Sequence, residues 1–152
     1  MASLDEVRKM LGMDEFDYLE LAHQLGADVV PQLKLLVMED DPRIAPKAAY
    51  LCSLFDTPDA AKVVGLSATS RHDVTRVAAA AGLANSVSAN IDSKVILDLL
   101  RDHDVSVRAK AIKAAGARGD NAIKNRLQEI MNVDPVLELR AISARALNLP
   151  SP

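Results

Sequence analysis

The strongest constraint on this chain is a recurrence. Aspartate-headed turns at Asp41, Asp73, Asp104 and Asp134 lie 32, 31 and 30 residues apart, and apolar and alanine positions follow each one at helical intervals. A period of this size accommodates two helices and their turns. One such helix pair cannot bury its apolar face alone, so pairs of this length stack on one another. The expectation is an all-α chain, an α-solenoid of about five stacked antiparallel helix pairs. It forms a single domain over 1–152, with an N-terminal helical cap at 1–26 and four repeats over 28–148.

Composition agrees with close helix packing. Hydrophobic residues make up 49 % and charged residues 26 %, while the chain holds only two Phe, two Tyr and no Trp. Alanine is abundant, so helices approach through small side chains rather than around aromatic plugs. Punctuation along the chain marks ten helices. Ser3 and Glu6 have the capping-box spacing and Gly12 closes the first helix. Asp14 opens a second that Gly26 stops. Pro31 falls in a first turn, Pro46 starts the helix running to Phe55, and Thr57-Pro58 is an N-cap and N1 pair. Asp73, Asp104, Asp120 and Asp134 are read as caps of later helices, with Gly119 ending the one begun at Asp104 and the last ending before Pro150. The polar link 85–90 is the longest loop.

Charge is divided along the chain. Residues 1–70 carry twelve acidic against six basic side chains, net −6, and residues 71–152 carry twelve basic against nine acidic, net +3. No stretch approaches the ~20 apolar residues of a membrane span, and the start of the chain lacks a leader pattern, so a cytoplasmic location and no membrane partner are expected. Cys52 has no second cysteine to pair with and is read as a small buried residue.

The segment from Leu99 to Ala111 carries a more specific signal. Its leucine-rich helix end, the Asp102-His103-Asp104 turn, the pair Val107-Arg108 and Ala111 three residues on resemble the HEAT-repeat family, in particular its short bacterial form, also called phycobilisome-lyase-like repeats. Elsewhere the match is looser. Ile44, Ala45 and Ala48 lack the arginine, Arg76-Val77 inverts the pair, and Leu139-Arg140 follows Asp134 two residues late. The resemblance implies a curved solenoid whose second helices line a concave face. It implies no activity.

Chemistry-bearing residues are sparse. His72-Asp73 and His103-Asp104 occupy matching turns, but each aspartate is already needed as a cap and a metal site wants three or four convergent ligands. Deoxyhypusine hydroxylases, which resemble this fold, hold iron with His-Glu pairs where this chain has Ala109-Lys110 and Ala79-Ala80. No phosphate loop or nucleophile motif is present, so no catalytic residue, metal or other cofactor is expected. Arg108 is read as the surface partner of Asp104, four residues earlier.

Projecting the second helices with Val107, Ala111 and Ala115 inward leaves Lys110 and Lys113 on the concave side. The matching positions are Lys47 and Tyr50, Ala79 and Gly82, and Ile142 and Arg145. They outline a groove with a tyrosine at one end, small residues midway and cations at the other. Such a groove suits a non-enzymatic interaction module (an adaptor, inhibitor or assembly factor), monomeric, docking an acidic or amphipathic segment of a protein partner. A second reading is nucleic-acid backbone binding along Arg71, Arg76, Arg101, Arg108, Lys110, Lys113, Arg118, Lys124, Arg126, Arg140 and Arg145. The net negative charge and the absence of stacking aromatics in that half oppose it. A third, a bilin-lyase-type subunit, follows only from the repeat family's other name.

Overall fold

The computed structural model describes residues 1–86 and 90–149. Among them ten α-helices follow one another: α1 (Leu4–Leu11), α2 (Tyr18–Leu25), α3 (Val30–Glu39), α4 (Ala45–Cys52), α5 (Pro58–Ser67), α6 (Asp73–Asn85), α7 (Ser93–Leu100), α8 (Val105–Gly116), α9 (Asn121–Val133) and α10 (Leu137–Ala146). A short 3₁₀ turn, Ala27–Val29, leads into α3. Positions 87–89 of the polar link and Pro150 lie outside the described residues.

Local chemistry explains most of these boundaries. Ser3 and Glu6 close a reciprocal capping box on α1, and Thr57, Asp104 and Asp120 each accept a backbone N–H from the first turn they precede. Gly26 ends α2 at φ 70°, a conformation open to glycine without strain. Pro31, Pro46 and Pro58 all sit in first turns, where a missing N–H breaks no helical bond.

Five boundaries differ from the sequence expectation, among them the end of α4, which closes at Cys52 rather than Phe55. α2 starts at Tyr18 with Asp17 as its cap, so Asp14 and Glu15 belong to the connection before it. His72, not Asp73, is the N-cap of α6, and Asp73 is its first residue. α8 ends at Gly116 rather than Gly119. α10 begins at Leu137, because Pro135 holds Asp134 in extended backbone at ψ 135° and delays the helix.

The helices form two layers around one continuous core. First helices stack as α1 on α3 on α5, with α7 reached through Gly65 and Val95, and α9 beyond; second helices stack as α2, α4, α6, α8 and α10. The layers meet through residues such as Leu33, Leu36, Leu51, Ile96, Leu100, Ile112, Ile123 and Leu127, all essentially removed from solvent. In the second-helix layer the contact residues are small: Ala48, Ala49, Ala79, Ala80, Ala111, Ala114 and Ala115 are buried. That lets α4, α6 and α8 approach closely. A Cβ built on Gly82 would lie 2.5 Å from Ser53 Oγ, so glycine is required where α6 crosses α4.

Hydrogen bonds reveal the true repeat register. Asp102 accepts the N–H of Asp104, Asp134 that of Val136, Asp41 that of Arg43, and Ser70 Oγ that of His72, each two residues on. Equivalent turn residues are therefore Asp41, Ser70, Asp102 and Asp134. The aspartates aligned in the sequence mix this turn-opening position with helix caps, and His72 and His103 do not occupy matching positions. Six residues beyond each turn residue comes a basic one: Lys47, Arg76, Arg108 and Arg140.

Two of these basic residues join neighbouring repeats. Arg76 donates from Nε and Nη2 to the two carboxylate oxygens of Asp102 at 2.8 and 3.2 Å, and from Nη1 to the carbonyl of Ser70 at 2.9 Å. Arg108 repeats the arrangement on Asp134 at 3.0 and 3.3 Å, with Nη1 on the carbonyls of Asp102 and His103 at 3.0 and 3.1 Å. Both pairs are buried, which corrects the surface pairing of Arg108 with Asp104. Asp104 instead caps α8. Burial pushes the Asp102 carboxyl up, but the Arg76 fork and the Asp104 N–H outweigh it, so its pKa lies below the ordinary 3.8.

Candidate functional site

The corrected register redraws the groove. Counting from Arg108, the positions equivalent to Lys110 are Ala49, Ala78 and Ile142, and those equivalent to Lys113 are Cys52, Ala81 and Arg145. The C-terminal half of the candidate set therefore stands in true register, and the N-terminal half is shifted.

Ala79 and Gly82 point inward. Ala79 is fully buried and Gly82 is closed against Ser53, so neither lines an open surface. Lys47 is half-buried and folded back on the end of α1, donating from Nζ to the carbonyls of Leu11 and Met13 at 2.9 and 3.2 Å. It also lies 5.6 Å from the centre of the Phe16 ring. Tyr50 packs edge to face on Tyr18 with ring centres 4.8 Å apart, and Asn85 donates to its hydroxyl at 3.0 Å. Burial, with Tyr50 adding to it, raises the Tyr18 hydroxyl pKa. The aromatic end of the sequence-derived groove is thus the filled joint between α2, α4 and α6.

Lys110, Lys113 and Arg145 are exposed, and Ile142 is half-buried. Lys113 and Arg145 line opposite sides of one cleft of about 350 Å³ between α8 and α10, which Ile112, Gly116, Ile142 and Ala146 also line. A second cleft of about 510 Å³ continues from it, sharing Gly116 and Ala146 and running on to Arg118, Lys124, Leu127 and Leu147. Among the described residues neither is lined by an acidic one. Sequence reasoning found Lys113, Ile142 and Arg145 but missed Gly116 and Ala146, whose smallness opens the cleft. The signal was a glycine as the last residue of a helix otherwise read as running to Gly119.

The other basic residues of that half are largely engaged. Arg76 and Arg108 are buried in their carboxylate forks, Arg126 donates to the carbonyl of Leu100, Arg140 to the carbonyl of Asp134, and Arg71 pairs with Asp40. The continuous basic stripe offered by the sequence therefore does not form on the surface. Arg71, Arg101, Lys110, Lys113, Lys124 and Arg145 remain exposed.

Cys52 is buried, and that burial pushes its thiol up to about 12, so it stays protonated at neutral pH. Among the described residues no group of three or more His, Cys, Asp or Glu converges as metal ligands would, and no helix is long and apolar enough to cross a membrane.

Two layers of stacked helix pairs, joined turn to turn by an arginine that reaches the next repeat, define an α-solenoid. The family model for HEAT repeats matches residues 66–148, more than half of the chain, and the chain belongs to that family. Repeats of this family generally mediate protein–protein interaction. Neither the curated proteins nor the solved structures give a match to the chain.

Proposed function

We propose that this chain is a non-enzymatic protein-interaction module, an adaptor, inhibitor or assembly factor, which receives a partner segment on the exposed face of α8 and α10. In this reading residues 1–152 act as one unit, with 1–26 as its end cap and Lys110, Lys113, Ile142 and Arg145 as the contact set. The observation that supports it is the state of the cations. Where arginines bond to neighbouring repeats they are drawn into the fold, whereas Lys113 and Arg145 flank an open, apolar-lined cleft. An unengaged arginine over aliphatic surface is the type of group that anchors protein interfaces.

The test is affinity capture from native lysate with three forms: the natural chain, Lys110→Glu/Lys113→Glu/Arg145→Glu, and Lys34→Glu/Lys62→Glu on the α3–α5 face. Exposed charges away from packing alter stability by less than about 0.5 kcal/mol each, so all three should fold. The reading expects a protein held by the natural chain and by the α3–α5 variant and lost by the triple variant. Equal retention by all three would refute the site.

A further inference from the structure

We propose that copies of this chain associate head to tail, α10 of one copy stacking on α2 of the next, with Arg140 of the first taking the carboxylate of Glu15 of the second. The contact lies apart from the α8–α10 cleft, and it replaces the monomer expected from the sequence.

The register of the stack supplies the donor. Val105, Arg108 and Ala109 share one face of α8 by their spacing, and from it Arg108 reaches the Asp134 that leads into α10. The equivalent residues of α10 are Leu137, Arg140 and Ala141. They lie on the side of that helix opposite Ile142 and Ala146, which line the cleft toward α8. Arg140 grips the carbonyl of its own turn residue through Nε, as Arg76 and Arg108 grip theirs through Nη1. Its Nη1 and Nη2 meet no carboxylate among the described residues, and the side chain is half-buried where Arg108 is buried. The remaining edge of that guanidinium is shaped to take a carboxylate through two parallel hydrogen bonds.

The acceptor stands at the other end of the second-helix layer. Asp102 and Asp134, which take the two forks inside the stack, each lie three residues before the start of a second helix, at Val105 and Leu137. Glu15 has the same spacing ahead of Tyr18, the start of α2; it is exposed and makes no ion pair among the described residues. Exposed Asp14 and Asp17 add to the negative field around it. A second copy suits both ends because the charge of the chain is divided, −6 over residues 1–70 and +3 over 71–152.

Apolar exposure marks the same two helices. Apart from Met1, the most exposed large apolar side chains among the described residues are Leu137, at 73 %, and Leu19, at 71 %, one on α10 and one on α2. A solenoid end with a polar outer face stays apart from its neighbours in water. Here each end helix presents a leucine, which stacking would remove from solvent. Because the two faces differ, each contact leaves one of each kind unused, and association extends into chains or closes into rings.

The test is analytical ultracentrifugation of the full chain over a range of concentrations at low and high salt. The expected weight-average mass exceeds that of one chain, rises with concentration and falls back as salt screens the ion pair. Arg140→Glu and Glu15→Arg each set like charges against one another and should hold the chain at monomer mass. An equal mixture of the two variants faces opposite charges at every contact and should regain the mass of the natural chain. Leu19→Ser should weaken association about tenfold or more. Lys113→Glu/Arg145→Glu should associate as the natural chain does. Circular dichroism confirms folding; Glu15 and Leu19 are exposed, so their variants report on the contact independently of any effect of Arg140→Glu on its own turn. A natural chain at monomer mass under every condition would overturn the proposal. So would association that survives Glu15→Arg and Leu19→Ser, or that is lost only in Lys113→Glu/Arg145→Glu. A mixture of folded variants that stays monomeric would overturn the pairing of Arg140 with Glu15.

Discussion

The joint beneath α4 and the joints above α6 use one helix position in two ways. At the first, Lys47 turns back to the carbonyls that end α1, and the space around it is filled by Phe16, Tyr18 and Tyr50, whose rings meet edge to face at 4.7 and 4.8 Å. At the later joints the same position is an arginine that grips its own turn carbonyl and reaches the aspartate of the next turn. The difference is one of reach and of what lies within it. A helix end offers carbonyls that a lysine satisfies as a point charge, whereas a neighbouring repeat offers a carboxylate that a guanidinium takes through both oxygens. One consequence is functional: the joint near the cap is filled by aromatic rings, and the α8–α10 joint, held from its turn edge, carries a cleft between Lys113 and Arg145.

The largest expected effect separates the two kinds of joint. Arg108→Ala leaves Asp134 buried without its partner and should cost about 3–5 kcal/mol in urea unfolding. Replacing both residues with apolar side chains, Arg108→Met/Asp134→Leu, should cost less than either single change, because no buried charge is then left unpaired. If Arg108→Ala is neutral, the later joints do not depend on their forks.

Gly82→Ala tests the closeness of α4 and α6. The added methyl would stand 2.6 Å from Ser53 Cβ, so a loss of about 1–3 kcal/mol is expected by thermal or urea unfolding. Lys47→Ala probes the cap joint and should cost about 1–2 kcal/mol, since the carbonyls it serves are partly within reach of water. At the open end Gly116→Ala should go the other way, gaining up to about 1 kcal/mol from helix propensity with ordinary contact to Ala146. A loss there would mean the α8–α10 joint is as closed as α4–α6.

The smallest effect concerns acid. Because the folded-state pKa of Asp102 lies below its ordinary 3.8, its contribution is complete above that value and is lost as pH falls through the lowered one. Urea midpoints compared at neutral pH and near pH 3 should show a smaller acid loss for Asp102→Asn than for the natural chain. An unchanged acid loss would remove Asp102 from the account.

The periodicity of the chain made the helix pairs legible, and residues such as Ser3, Thr57, Asp104 and Asp120 announced their own helix starts through cap chemistry. The register was not legible from aspartates alone. Asp102 and Asp104 both place a carboxylate on a backbone N–H a few residues ahead, so a turn-opening residue and a cap look alike in sequence. Ser70 stands where its equivalents are aspartates, which removed one mark of the pattern. The long-range fork leaves a signature, a basic residue six positions after the turn and an acid 26 positions further. Lys47 and Asp73 share that spacing while Lys47 bonds instead to the carbonyls of Leu11 and Met13, so the spacing alone does not mark the forks made by Arg76–Asp102 and Arg108–Asp134. Of the candidate cleft, the shared lining by Lys113, Ile142 and Arg145 was legible because their helices share a register. The shift at α6 and α4 misplaced Ala79, Gly82, Lys47 and Tyr50, whose burial depends on a crossing distance and an aromatic joint that no local pattern encodes.

Lysine footprinting of the chain in its captured complex tests the central claim most directly, by comparing reductive methylation of each lysine in the free and bound forms. The account predicts that Lys110 and Lys113 become protected on binding while Lys34 and Lys62 are modified as in the free chain. Protection of Lys34 and Lys62 with Lys110 and Lys113 unchanged would contradict it and move the docking face to the first-helix layer.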